Sequence, residues 1–378
     1  MRADEGTVCM TTALLYDPIF LEHLTPPGHP ESPQRLKAAM DMLQALGWLQ
    51  REGLVQLRPR PATLDELAAV HDRQYIASIA EAAQAGGRRI DADTAISPRS
   101  YDVARMAAGA ALVAIDAIMA GEIVNAYALV RPPGHHATRS RAMGFCLFNH
   151  VAVAARYALD RYGLSRVLIV DYDVHHGNGT QDIFYEDPRV LYFSTHQSPL
   201  YPGTGRADET GAGAGEGTTV NVPLPAYSGW SVYDPIFRQV LAPLADRFQP
   251  EFILVSIGYD AHWKDPLASM GLDTVSYVLL TRQVKELAEE LCGGRLILVQ
   301  EGGYHLDAFA QCMVSCLNVL LGGDEVVDGI GPPPSPGFRW NTDAIVTELR
   351  RIHHLTGYRR RPRASPLTPE AGREEHGQ

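Results

Sequence analysis

Four polar clusters in the sequence contain residues that can carry out chemistry, and each directly follows a short apolar run. In the stretch VLIVDYDVHHGNGTQ, residues 167–181, two carboxylates and two imidazoles follow a run of aliphatic residues. If the chain stays extended through DYDVH, Asp171, Asp173 and His175 point to the same side, because side chains alternate along a strand. A carboxylate and an imidazole two residues apart can then share one cation. The spacing therefore predicts a metal site at the end of this run.

A third ligand can come from the cluster YDAH, which follows the apolar run EFILVS. Asp260 of this cluster would join Asp173 and His175 if the two strand ends are neighbours. Two carboxylates and one neutral imidazole leave one position open on a tetrahedral ion, which is typical of catalytic zinc. Oxygen-rich ligation also suits Fe(II) or Mn(II). The alternative is that Asp171 and Asp173 cap turns and that His175 is a satisfied core histidine, which explains any one of these residues more easily than the whole set.

The cluster RPPGHH places two adjacent histidines, His135 and His136, after a stiff turn of two prolines and a glycine. Adjacent histidines serve proton transfer when different partners push their pKa values apart. Asp171 and Asn178 are candidate partners. A carboxylate would make one imidazole more basic, and an amide would leave the other less basic. The alternative is a pair of surface histidines in a proline turn.

The cluster EGGYH supplies a phenol. Gly302 and Gly303 allow the chain to bend sharply and to bring Tyr304 over the predicted crevice. Its hydroxyl could donate to an oxyanion, and one such donor is worth roughly 3 kcal/mol. A buried core tyrosine is the alternative.

The apolar runs before these clusters have the composition of strands that are buried on both faces. They are AYALV (126–130), RVLIV (166–170), EFILVS (251–256) and RLILVQ (295–300). Helical patterns separate them, which predicts a mostly parallel sheet covered by helices. Ligands of such sheets bind outside the carboxyl ends of the strands, so all four clusters should converge on one site.

Other segments indicate a single domain. An alanine-rich helix is expected over residues 100–121 and a final helix within 341–355. The Gly-rich segment 201–229 is predicted to be an ordered long loop, because it lies between core strands. We expect one catalytic domain over residues 1–358 and a disordered tail over 359–378.

Composition excludes several other classes of protein. The chain has 378 residues and a formal net charge of −11, which argues against nucleic acid as the main partner. No uncharged run reaches membrane-spanning length, and the first residues lack the pattern of a secretory signal. None of the five cysteines forms a CxxC pair, which favours free thiols in a reducing compartment. A cytoplasmic location is therefore expected.

Taken together, RPPGHHA, GFCLFN, DYDVHHGNGTQ, YPGTG, SIGYDAH and EGGYH resemble the zinc-dependent histone deacetylase family. The branch that the sequence resembles is class II-like and includes bacterial deacetylase-like amidohydrolases and acetylpolyamine amidohydrolases. The resemblance covers roughly residues 10–322. It implies an arginase-like, three-layer α/β fold, in which a central and mostly parallel sheet of about eight strands has helices on both faces.

The resemblance also implies roles for individual residues. By matched motif, zinc or ferrous iron would be bound by Asp173, His175 and Asp260. His135 and His136 would be the tandem pair, backed by Asp171 and Asn178 respectively. Tyr304 would donate a hydrogen bond in the transition state. A structural K⁺ or Na⁺ is implied at Asp171 and Ser194, with the carbonyls of Asp173, His175 and Thr195.

A narrow substrate tunnel is implied as well. Its expected residues are Gly144, Phe145 and Tyr201 in the walls, Leu267 and Asp93 at the rim, and the internal Arg35 near a product-release region. Such a tunnel fits the four-carbon stem of a lysine and leaves the acyl group at the metal.

The implied activity is hydrolysis of the side-chain amide of an acyl-lysine, in a protein or peptide, by a metal-activated water. An acetylpolyamine hydrolase is the rival, although the intact YPGTG and the apolar Leu267 favour acyl-lysine over it. The segment ADETGAGAGEG is shared with polyamine-active relatives and favours the rival. An arginase-like ureohydrolase and a non-catalytic acyl-lysine binder are more distant alternatives. The sequence leaves open whether the chain forms a homo-oligomer.

Overall fold

The computed structural model describes residues 11–334 and 340–357. Within them the chain forms ten strands. The strands are β1 (Thr12–Leu15), β2 (Leu54–Leu57), β3 (Arg88–Arg89), β4 (Ala95–Ile96), β5 (Asn125–Ala128), β6 (Val167–Asp171), β7 (Val190–Gln197), β8 (Thr219–Leu224), β9 (Phe252–Ile257) and β10 (Leu296–Gln300).

Helices separate most of these strands. The α-helices are α1 (Gln34–Ala45), α2 (Leu64–Ala68), α3 (Arg73–Gln84), α4 (Ser100–Met119), α5 (His150–Tyr162), α6 (Asn178–Phe184), α7 (Trp230–Ile236), α8 (Ala242–Phe248), α9 (Thr274–Cys292), α10 (Leu306–Leu320) and α11 (Thr342–Ile352). Short 3₁₀ helices span Pro18–Glu22, Trp48–Gln50 and Gly213–Gly215, and a π-helical turn spans Phe237–Leu241.

Eight strands form one parallel sheet in the order β2-β1-β5-β10-β9-β6-β7-β8, and β3 pairs with β4 separately. The four strands expected from the apolar runs are the neighbours β5, β10, β9 and β6 in its centre. Every residue of these four strands is buried. Strands covered on both faces need no polar alternation, which is why their sequences are continuously apolar.

Helices cover both faces of the sheet and complete three layers. On one side α4 and α5 pack on each other and on the central strands, while α1, α9 and α10 form a second packed group. A capping side chain and a glycine set the two ends of helix α9. Helix α9 begins where the Asp273 carboxylate accepts from the Ser276 N–H at 2.8 Å, and it ends at Gly293 with φ 64°. The predicted α/β architecture is therefore confirmed.

Two local expectations differ from the structure. Strand β6 ends at Asp171, so the chain does not stay extended through His175 as the alternation argument assumed. The segment 201–229 contains strand β8, which its glycines and polar residues hid. The predicted tail, residues 359–378, lies outside the described residues.

No helix in residues 11–334 or 340–357 is long and apolar enough to cross a membrane. Cys146, Cys292, Cys312 and Cys316 are buried free thiols, as expected from their spacing.

Candidate active site

Three side chains from two neighbouring strand ends converge at the carboxyl edge of the sheet. Asp173 and His175 follow β6, and Asp260 follows β9, which pairs with β6. One donor atom from each lies within 4.8 Å of the other two. The His175 Nδ1 lies 3.1 Å from Asp173 Oδ1 and 3.2 Å from Asp260 Oδ2. The early end of β6 does not separate the predicted ligands, because the donor atoms of Asp173 and His175 still lie close to that of Asp260.

The backbone around these carboxylates fixes their orientation. The Val174 N–H donates to Asp260 Oδ1, and the Gly302 N–H donates to Asp173 Oδ2, both at 2.8 Å. A Cβ atom at Gly258 or Gly302 would collide with the carboxylates, so glycine is needed at both positions. Backbone N–H groups thus hold both oxygens of Asp173, including Oδ1, which accepts from the His175 N–H at 2.9 Å, and one oxygen of Asp260, while the second oxygen of Asp260 faces the His175 ring.

The charge balance of the trio fits a bound cation. Burial favours a lower pKa for His175, but hydrogen bonds to Asp173 and Asp260 outweigh it and raise that pKa to about 10. A proton on Nδ1 therefore lies between two buried acids. A divalent cation can replace that proton, since metal ligands bind in their deprotonated forms. Two carboxylates and an imidazole are also the donor set that zinc and ferrous iron accept.

The tandem histidines lie beside this trio with different partners. His135 Nδ1 contacts Asp171 Oδ2 at 3.1 Å, and His136 Nδ1 contacts Asn178 Oδ1 at 2.8 Å. The Asn178 amide nitrogen donates to the Met143 sulfur at 3.5 Å, which leaves its carbonyl oxygen for His136. A carbonyl oxygen only accepts, so Nδ1 of His136 carries the proton and its Nε2 has a free lone pair.

These partners separate the pKa values of the two imidazoles. Burial acts to lower the pKa of His135, but the charges of Asp171 and Asp173 outweigh it and raise the pKa to about 10. Burial, followed by the nearby His135 and His175, holds the pKa of His136 well below its usual value. The pair therefore combines a charged imidazole with a neutral one.

A cavity of about 220 Å³ leads from the surface to these residues. Its lining includes the residues predicted for the tunnel walls and rim, namely Asp93, Gly144, Phe145, Tyr201 and Leu267, together with Pro133, Leu200, His135, His136, His175, Gly302 and Tyr304. A Cβ atom at Gly144 would collide with the ring of His136, so a larger residue would block the tunnel floor.

Phe145 holds an unusual backbone conformation in the tunnel wall. Its φ of 68° is in the left-handed region, which disfavours large side chains. The Thr94 hydroxyl accepts from the Phe145 N–H at 3.1 Å, and the ring of His29 meets the Phe145 ring edge-on with centroids 4.8 Å apart. These contacts offset the strain and fix the wall.

Tyr304 lies opposite Phe145, with ring centroids 5.8 Å apart. Burial and then the charge of Asp260 raise its pKa well above its usual value, so the phenol keeps its proton. The guanidinium of Arg35 lies 4.9 Å from the ring centroid, and its Nε donates to the Gly303 carbonyl at 2.6 Å. Arg35 is therefore an internal residue behind the tyrosine, as predicted, and it is fully buried.

The residues predicted to bind a monovalent cation lie on adjacent strands. Asp171 in β6 pairs in register with Ser194 in β7. The Ser194 hydroxyl contacts His196 Nδ1 at 3.0 Å, and the Thr195 hydroxyl is buried with no hydrogen-bond partner among the described residues. The monovalent cation itself stays a prediction.

Sequence reasoning missed Glu301, which is fully buried under the tandem histidines. Its Oε2 accepts from the Gly134 N–H at 2.6 Å and from the His135 N–H at 3.2 Å. The Ser256 hydroxyl donates to its other oxygen at 3.1 Å. The sequence shows only that an apolar run is followed by an acid. This pattern does not identify the Gly134 N–H, 167 residues away, as the partner of Glu301.

Comparison with known proteins agrees with this geometry. Residues 29–320 match the histone deacetylase domain. The chain belongs to the histone deacetylase family. A probable deacetylase of Archaeoglobus fulgidus is 42% identical over 355 residues, which cover 93% of this chain and 97% of that protein.

One further relative by sequence and one solved structure are also similar to this family member. The human polyamine deacetylase HDAC10 is 41% identical over 77% of this chain and 44% of its own length. The crystal structure of the HDA15 HD domain superposes with a TM-score of 0.81 at 36% identity, covering 91% of this chain and 94% of that one. This family member is a hydrolytic deacetylase with the family's arginase-like fold.

Removal of one acid should abolish metal binding. Asp260→Ala leaves two ligands, so we expect the purified variant to lose its divalent metal while the wild-type chain holds about one per chain. Elemental analysis after dialysis measures this. Asp187→Ala is a matched control, because Asp187 precedes β7 at the opposite edge of the sheet. Full metal retention in Asp260→Ala would remove this residue from the ligand set.

The pH profile should report the neutral state of His136. Because the pKa of His136 is held below its usual value, kcat/KM should fall only below about pH 6.5. Asn178→Asp places a carboxylate against the same Nδ1, which favours the protonated imidazole and should move the acid limb to higher pH. An identical acid limb in both enzymes would show that His136 does not set it.

Proposed function

We propose that this deacetylase is a zinc-dependent hydrolase that removes acetyl or other acyl groups from the side-chain amide of lysine in proteins or peptides. The observation that carries the proposal is the grouping of Asp173, His175 and Asp260, of which His175 lines the cavity beside a charged and a neutral imidazole. The phenol of Tyr304, which keeps its proton, lines the same cavity. These are the parts that amide hydrolysis requires.

A divalent cation held by these three side chains would withdraw electron density from the amide carbonyl and lower the pKa of a water molecule towards ~7. The chain's own residues do the rest. Neutral His136 accepts a proton at Nε2 from the water that attacks the amide carbon. It then returns the proton to the leaving amine, as one well-placed acid–base group can serve both steps. His135, charged and paired with Asp171, contributes electrostatic stabilisation.

Tyr304 would donate its O–H to the oxygen that becomes negatively charged as water adds. A donor fixed before the reaction needs no reorganisation, which is why such groups contribute strongly to rate. The Phe145 ring and the Arg35 guanidinium both contact the Tyr304 ring and limit its movement.

The tunnel favours an acyl-lysine. Its walls at Phe145 and Leu200 suit an apolar stem of four carbons, and Leu267 offers no charge at the rim. Asp93, whose carbonyl contacts His29 Nε2 at 2.9 Å, lies at the mouth and can accept from a peptide N–H. A structural K⁺ or Na⁺ at Asp171 and Ser194 belongs to the same proposal.

An acetylpolyamine is the second candidate substrate. Asp91 and Asp93 form an acidic pair beside the mouth, which would attract a polycation. The human relative named as a polyamine deacetylase supports this candidate. An arginase-like reaction has less support, because the described residues contain one three-ligand group and Asp171 is occupied by His135 and Tyr192.

Loss of the phenol should lower turnover without loss of metal. Tyr304→Phe keeps the ring and removes the donor, and we expect kcat to fall by about 10²–10³-fold. Tyr227→Phe, an exposed tyrosine on another loop, is the matched control. Steady-state kinetics and metal content are measured together. Near-normal kcat in Tyr304→Phe would remove the tyrosine from the mechanism.

The substrate class is tested by one panel of acetyl-lysine peptides, longer acyl-lysine peptides and acetylated polyamines. We expect the highest kcat/KM with an acyl-lysine peptide, loss of all activity with a chelator, and recovery with zinc. Faster hydrolysis of acetylated polyamines would instead support the second candidate. Activity that survives complete metal removal would overturn the metal-dependent mechanism.

A further inference from the structure

Asp265 is a buried carboxylate that the mechanism above does not use. It lies in the loop after β9 and is only 6% exposed. None of the ion pairs among the described residues includes it, so no lysine or arginine offsets its charge. A buried acid without a counter-charge is costly unless hydrogen bonds stabilise it. Its hydrogen bonds therefore indicate what it is for.

The two carboxylate oxygens of Asp265 each hold a different loop. Oδ1 accepts from the Leu267 N–H at 2.9 Å, which closes an Asx turn within its own loop. Oδ2 accepts from the Tyr304 N–H at 2.7 Å, which belongs to the loop after β10. The Asp265 side chain thus joins the backbone of Tyr304 to the backbone of Leu267 at the tunnel rim.

The bond to the Tyr304 N–H acts next to a glycine in an unusual backbone conformation. Gly303, with φ 109°, is in a conformation that glycine adopts easily. Arg35 holds the carbonyl on one side of the Gly303–Tyr304 peptide, and Asp265 holds the N–H on the other. Both polar groups of this peptide are therefore fixed, which sets the direction in which the Tyr304 side chain leaves the backbone.

We propose that Asp265 is a positioning residue that fixes the Tyr304 phenol relative to the tunnel rim at Leu267. This inference rests on the proposed role of Tyr304. Asp265 is not among the residues that line the cavity, and it acts through the backbone of Tyr304. Its chemistry is that of a two-oxygen acceptor, which neither an amide nor a hydroxyl can replace in full.

A double-mutant cycle tests the proposal. Asp265→Asn keeps an oxygen for the Asx turn but turns an NH₂ group towards the Tyr304 N–H, so only the bond between the two loops is lost. In the wild-type background we expect kcat to fall on the order of 10- to 100-fold, as for other small misplacements of a reacting group. In the Tyr304→Phe background the same change should alter kcat by no more than about twofold. Metal content should not change in either background.

The controls separate positioning from a general loss of structure. Asp328→Asn perturbs a comparable Asx turn, in which Asp328 Oδ1 accepts from the Ile330 N–H at 3.1 Å, and should leave kcat unchanged. If Asp265→Asn does not fold, Asp265→Ser is put through the same cycle, since its hydroxyl can keep the turn to Leu267.

If Asp265→Asn lowers kcat by the same factor in both backgrounds, Asp265 only supports the overall structure. That result would overturn the inference. An unchanged kcat in Asp265→Asn would do the same. These results leave the proposed function intact when Tyr304→Phe is itself impaired. Near-normal kcat in Tyr304→Phe would overturn the tyrosine's role and this inference together.

Discussion

One electrostatic constraint governs this structure: the central strands bury three carboxylates at the same edge of the sheet. Asp171, Asp173 and Asp260 are at most 1% exposed. In the ion pairs of the described residues they meet only the imidazoles of His135 and His175. Burial of an isolated carboxylate destabilises the folded state by roughly several kcal/mol unless an opposite charge or several hydrogen-bond donors compensate it. The site is therefore built to hold positive charge, as protons on imidazoles or as a metal ion.

The loops around this edge use acids in a second way, as acceptors for backbone N–H groups. Glu301 holds the turn that carries the tandem histidines, and Asp265 holds the peptide of Tyr304. Each joins the loops that follow two neighbouring strands. The relative positions of imidazole, phenol and metal ligands thus depend on hydrogen bonds between loops, while the sheet fixes only where each loop begins.

Much of this architecture is predictable from the sequence, and the reasons are local. Continuous apolar runs reveal strands buried on both faces, and the residues that follow them, such as Asp173 and Tyr304, must meet where parallel strands end. Strand β8 was missed because its neighbouring glycines and threonines resemble a loop. Asp265 was missed because its partner, the Tyr304 N–H, is 39 residues away and no side-chain pattern encodes a backbone donor.

The central claim is that Asp173, His175 and Asp260 bind one divalent ion. Anomalous diffraction from crystals of the purified chain, recorded on both sides of the zinc edge, tests it most directly. If the ion binds there, one strong anomalous peak lies within about 2.0–2.2 Å of an oxygen of each aspartate and of a nitrogen of the histidine. A catalytically active crystal with no metal peak at these three residues, or with its peak elsewhere, would contradict the account.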